Sequence, residues 1–132
     1  MIIEINTHST SPLYEQLRNQ VVLGIAAKKL ALNEALPSVR SLATDLGINF
    51  HTVSKAYSIL SDEGYIIIDR RKGAMVAQPT TDNHAFLSKL SQKLALNAAE
   101  AICHGMSKND FITQCTDCYH NAKDSPKNGV AL

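Results

Sequence analysis

The chain opens on a weak alternation of apolar and polar positions, "MIIEI", a β-rich pattern that suits a short edge strand. The rhythm then changes. In "SPLYEQLRNQVVLGIAAKKL", Leu13, Leu17, Val21 and Ile25 return to one side at helical spacing, with Ser11 placed to cap the helix and Pro12 suited to its first position. "ALNEALPS" interrupts the pattern, because Pro37 pushes Leu36 out of helical geometry. A second, short helix is predicted after Ser38 as N-cap, with Leu42 and Leu46 inward and Gly47 as a left-handed stop. Asn49 is a good N-cap for a third helix to about Glu63, whose apolar positions Val53, Ala56, Tyr57 and Leu60 fall on one stripe before Gly64 ends it. "YIIID" then reads as a short buried strand, "RRKG" as a tight polar turn, and "AMVAQP" as a second strand closed by Pro79.

Beyond "PTTDN" the pattern is helical only. "HAFLSKLSQKLALNAAEAICHG" carries Phe86, Leu87, Leu90, Leu94 and Ala98 at helical spacing and ends near Gly105. Ser107 caps "KNDFITQCTDCYHNA", whose Phe111, Cys115 and Cys118 share a face, and "KDSPKNGVAL" reads as a frayed end. Two such helices cannot enclose a core alone, so they must pack on the first domain, on a second copy of the chain, or on both.

Helices two and three are separated only by Gly47 to Asn49, which is helix-turn-helix geometry, and the hairpin that follows supplies a wing. The expected fold is α+β. Residues 1–79 form a winged helix-turn-helix of three helices and a hairpin, and residues 80–132 form a short all-α two-helix dimerisation tail.

Composition adds limits. The chain has 132 residues, 45% of them hydrophobic, with a net charge of +1. Residues 1–78 carry eight Lys/Arg against seven Asp/Glu, so any basic surface must come from local clustering, and "RRK" at 70–72 is the one cluster. No apolar run is long enough to span a membrane, and the first residues lack the pattern of a secretory signal, so a cytoplasmic location is expected. No phosphate-binding glycine loop, paired acidic motif or nucleophile elbow is present, and the five histidines are scattered; neither catalysis nor a cofactor is expected.

The chemistry therefore concentrates on the turn and the wing. A recognition helix inserts its N-terminal end into the major groove, so its first two turns read bases. Projection from Val53 places His51, Ser54, Lys55 and Ser58 opposite the core stripe, with Thr52 near its edge. Asn49 and Phe50 sit at the tip, where free amides and the helix dipole favour phosphate. Arg40, on the exposed side of helix two, suits a backbone phosphate or a guanine edge, and Ser38 caps the helix that bears it. Arg70, Arg71 and Lys72 supply cations at the wing, while Gly73 lets the backbone approach closely. The plainer alternatives are a solvated helix face, an ordinary surface arginine, and a hairpin tip kept charged against aggregation. For Phe50, projection puts the ring nearer Tyr57 than His51, so packing at the domain rim is expected, with contact to a thymine methyl as the sharper alternative.

The segment "LPSVRSLATDLGINFHTVSKAYSILSDEGYIIIDRRKGAMVA" resembles the winged-helix signature of GntR-type bacterial transcription regulators. The signature falls on Leu36, Pro37, Ser38 and Arg40, on Leu42 and Ala43, and on Leu46, Gly47 and Ile48. It continues through Thr52, Val53 and Ala56, then Glu63, Gly64, Gly73 and Val76. "PLYEQL", Tyr57 and the short tail are similar to the YtrA-type subfamily. The resemblance implies a homodimer that binds a palindromic operator in double-stranded DNA, usually as a repressor, with the tail helices as the dimer interface. It implies DNA contacts from Arg40, Thr52, Lys55 and Gly73, with His51 at a recognition-turn position. Three departures stand out: Phe50 replaces an Arg or Pro, Arg71 replaces a second wing glycine, and Lys28 and Asn33 replace glycines before "LPS".

The tail cysteines, Cys103, Cys115 and Cys118, are expected to pack in a core or interface, with metal binding or thiol redox sensing as alternatives. About 53 residues after Pro79 are too few to enclose a metabolite pocket in one subunit. Any effector would sit between two tails, near Met106, Phe111 and the cysteines. The rivals to a regulator are a metal- or thiol-responsive sensor on the same scaffold and a winged-helix protein-interaction adaptor.

Overall fold

The computed structural model describes residues 3–80 and 83–124, which fall into two compact units, one up to Pro79 and one over Thr80–Ala122. In the first unit the order is α1 (Leu13–Ala26), α2 (Val39–Leu46), α3 (Phe50–Asp62), β1 (Ile66–Asp69) and β2 (Gly73–Val76). The three helices and the hairpin predicted from the pattern are present.

Their apolar stripes meet in one core. Leu17 and Val21 of α1, Leu42 and Ala43 of α2, and Val53, Ala56, Tyr57 and Leu60 of α3 are buried together. Leu36, Ile66, Ala74 and Val76 close it from the hairpin side. Tyr57, only 2% exposed, carries a hydroxyl into this core and donates it to the Pro37 carbonyl at 2.7 Å. Burial pushes its phenol up to about 12.

α1 is shorter than expected at both ends. Pro12, rather than Ser11, is its N-cap and no side chain caps it. It stops at Ala26 because Lys28 turns left-handed, φ 59°, and Leu30 folds back to lie buried against Gly24. Asn33 is left-handed as well, φ 68°. Both positions where family glycines are replaced therefore keep the conformation a glycine favours.

The expected strand at the start is not formed over Ile3–Ile5, and Met1 and Ile2 lie outside the described residues. The segment is held instead by two glutamines of α1. Gln16, 3% exposed, accepts the Asn6 N–H at 2.9 Å and donates to the carbonyls of Asn6 and Ser11 at 3.0 and 2.9 Å. Gln20 pairs with the Glu4 backbone in the same way. These amides occupy the backbone groups that a strand ladder would have used.

A strand-like segment forms where a loop was expected. Asn33, Glu34 and Leu36 exchange backbone hydrogen bonds with Ala74 and Val76 at 2.8–2.9 Å, and Ala35 bridges Met75. β2 thus lies between this segment and β1. β1 pairs in antiparallel register, Ile66 with Val76 through Asp69 with Gly73. Only Ile66 of β1 is buried; Ile67 and Ile68 are 57% and 54% exposed, because the hairpin runs out beyond the helices as a wing.

Arg18 of α1 grips Glu63 with two hydrogen bonds, 2.9 and 3.2 Å, and its guanidinium lies 5.4 Å from the Tyr65 ring. Glu63 closes α3, where a carboxylate opposes the helix dipole, and the arginine offsets that charge.

The second unit contains α4 (His84–Cys103) and, as far as Ala122, α5 (Lys108–Asp124), capped by Asn83 and Ser107. Neither helix has a buried residue. The frayed end expected over "KDSPKNGVAL" lies, beyond Asp124, outside the described residues.

Tyr57→Phe is expected to lower stability by about 1 kcal/mol in urea denaturation, since the Pro37 carbonyl loses its partner. Below pH 10 both folded and unfolded wild type keep the phenol proton. Between pH 10 and about 12 only the folded state keeps it, so stability falls by about 1.4 kcal/mol per pH unit as pH rises. That share of the alkaline loss should vanish in Tyr57→Phe.

Candidate nucleic-acid interface

The interface starts from the turn. Ser38 caps α2, its Oγ accepting the Ser41 N–H at 3.1 Å. Gly47 stops α2 in left-handed geometry, φ 66°, with N–H groups of Gly47 and Ile48 returning to Thr44 and Ala43. Asn49 then caps α3, its Oδ1 accepting the His51 N–H at 2.7 Å. Two residues of unusual local chemistry thus reverse the chain within three positions. A Cβ added at Gly47 would meet nothing within 4 Å, so conformation alone demands glycine there.

With its inner stripe buried, α3 presents His51, Lys55 and Ser58 to solvent, while Thr52 and Ser54 are half-buried at the edges. Arg40 is exposed on α2. Arg40, Thr44, Gly47 and Phe50, with Ala43 and Ile48, line an open groove of about 620 Å³ beside the turn.

Phe50 departs from expectation. Its ring does not lie at the rim against Tyr57, whose side chain is committed to the core and to Pro37. It stays 42% exposed, stands edge-on to His51 at 5.7 Å between ring centroids, and carries the Arg40 guanidinium at 5.5 Å. The turn brings α2 beside the tip of α3, a neighbour that projection along α3 alone does not reveal.

A second cation is also held on a ring. Lys55 places its Nζ 3.9 Å from the centroid of Tyr14, on α1. The aromatic residue in "PLYEQL" was the available signal, but nothing in either pattern pairs them across 41 positions.

At the wing, Asp69 and Gly73 face each other across the turn, and Asp69 Oδ1 accepts the Arg71 N–H at 2.8 Å. Gly73 is left-handed, φ 74°, whereas Arg71 is not among the residues with positive φ, so one glycine suffices to close this wing. Arg70, Arg71 and Lys72 are all exposed.

The tail cysteines are elsewhere. Cys103, Cys115 and Cys118 are exposed free thiols, which overturns packing in a core of this chain. Among the described residues no three His, Cys, Asp or Glu side chains are grouped to hold a metal ion. No helix is long and apolar enough to cross a membrane, again among the described residues.

Gly47→Ala and Asn49→Ala are each expected to lower stability by about 1 kcal/mol, the first through left-handed strain and the second through loss of the cap. Urea midpoints measure both, and Ser58→Ala on the outer face serves as a control with no loss.

Comparison with known proteins agrees with this geometry. Residues 13–76 match the model of bacterial regulatory proteins of the gntR family. The HTH-type transcriptional repressor YtrA of Bacillus subtilis is 38% identical over 77 residues, covering 58% of this chain and 59% of that protein. Among solved structures, a transcriptional antiterminator from Listeria monocytogenes superposes with a TM-score of 0.82 at 28% identity, covering 100% of this chain and 98% of the other. YtrA from Sulfolobus acidocaldarius, a GntR-family transcription factor, gives a TM-score of 0.60 at 36% identity, with 72% of this chain and 99% of that one covered. The signature across the turn and wing, the winged-helix fold and these likenesses together make the chain a YtrA-type member of the GntR family of DNA-binding regulators.

Proposed function

We propose that this protein is a transcriptional repressor that binds a palindromic operator as a homodimer. The observation that carries the reading is the division of α3 into a buried inner stripe and a free outer face at the tip of a helix-turn-helix. His51, Thr52, Ser54 and Lys55 from that face, with Arg40 from the groove beside it, would meet base edges in the major groove, and Phe50 stands at the same tip. Arg70, Arg71, Lys72 and Gly73 would meet the backbone or the minor groove next to it. Ser38 and Asn49 serve as caps that also leave helix N-termini open to phosphate.

The tail supports the dimer. Phe86, Leu87, Leu90 and Leu94 of α4 are 38–50% exposed, and Ile102 and Ile112 are 73% and 49% exposed, a large apolar surface on a unit without a core. Two copies joined there would set two recognition helices about 34 Å apart, or a multiple of that, to match successive half-sites. An effector, if bound, would lie between the tails. Soluble, DNA-facing chemistry of this kind fits the cytoplasm and needs no catalytic group.

A duplex selected from a randomised library on the full-length protein is the first test. Its affinity should fall steeply with salt, and replacing Arg70, Arg71 and Lys72 together by Ala should reduce the log–log salt slope by about 2 to 3 and weaken all duplexes alike. Leu90→Asp with Leu94→Asp should give a monomer in sedimentation and lose the selected duplex. Equal binding to selected and scrambled duplexes by the wild type would remove the regulator reading.

A further inference from the structure

We propose that Phe50 is a positioning residue: its ring holds the Arg40 guanidinium at the mouth of the turn groove, so the base preference delivered by Arg40 depends on Phe50. The inference rests on the DNA-binding reading above and adds a role for the residue that departs from its relatives.

The geometry is specific. Phe50 is the first residue of α3 and Arg40 the second of α2, and the left-handed Gly47 turns one helix back beside the other. The guanidinium carbon then lies 5.5 Å from the Phe50 centroid, within the range of a cation–π contact. His51 meets the same ring edge-on, 82° between planes. Three planar groups thus form one cluster at the tip that enters the groove. Arg40 has no carboxylate partner: Arg18–Glu63 is the ion pair found among the described residues. The ring therefore orients the cation without neutralising it, which leaves its donors and its charge for DNA.

That arrangement has an energetic consequence. A free surface arginine loses rotamer freedom when it docks on a base edge, and a guanidinium already laid on a ring loses less. Phe50 has enough exposed area to stay in contact with Arg40 when DNA arrives, and too little buried area for its removal to unfold the domain. The role assigned here differs from apolar contact with a thymine methyl, because leucine preserves apolar bulk and lacks a π face.

The test compares Phe50→Leu, Phe50→Tyr, Arg40→Ala and the Phe50→Leu/Arg40→Ala double variant of the full-length protein. The probe is the duplex selected by the wild type, together with its single-base-pair variants. Phe50→Leu should weaken binding about two- to fivefold, Phe50→Tyr should match the wild type, and Phe50→Leu should cost nothing further once Arg40 is gone. Phe50→Leu and Arg40→Ala should also relax preference at the same base pair, which a loss of general packing would not do. Full affinity in Phe50→Leu, or additive losses in the double variant, overturns the inference while leaving DNA binding intact. Absence of sequence-dependent binding by the wild type removes the DNA-binding reading and this inference with it.

Discussion

Burial of one stripe of α3 is the constraint on which the interface depends. Val53, Ala56, Tyr57 and Leu60 are 0–2% exposed, and burying each large side chain stabilises the fold by about 1.5–3 kcal/mol. Turning α3 by one residue position, about 100°, would carry Ser54 and Lys55 toward the core and bring apolar side chains out. The inner face therefore selects the outer one. Gly47 and Asn49 fix where the helix begins, Tyr57 ties its middle to Pro37, and the Arg18–Glu63 pair secures its end. The result is a helix held along its length with its first turn free.

With a net charge of +1, the protein cannot rely on a strong overall field to find nucleic acid. Its cations are arranged instead. Arg40 lies on Phe50 and Lys55 on Tyr14, while Arg18, facing Tyr65, is spent on Glu63 and on structure. The wing adds three exposed cations on a turn closed by Asp69 and Gly73. On the DNA-binding reading proposed above, a small number of oriented charges takes the place of a broad basic surface.

Much of this was legible in the chain because it is local. Caps at Ser38 and Asn49, the stop at Gly47 and the stripe of α3 all follow from spacing within a few residues. The parts that escaped depend on partners far apart in sequence. Gln16 occupies the backbone of Asn6, so no strand forms there; Asn33–Leu36 finds β2 some forty residues later; and Phe50 meets Arg40 rather than Tyr57. "YIIID" looked buried because composition cannot tell a wing that leaves the core from a strand that crosses it. The cysteines looked buried for a similar reason: Cys115 and Cys118 share a face of α5 with Phe111, but among the described residues both thiols, like Cys103 at the end of α4, are exposed.

The proposed dimer makes one demand of the tail and the turn together, that two recognition helices address DNA in a fixed relation. Hydroxyl-radical footprinting of the wild-type protein on its selected duplex reads that relation directly. The account predicts two protected patches related by twofold symmetry, their centres about one helical turn or a multiple of it apart. A single unsymmetric patch, or protection that does not depend on sequence, would contradict it.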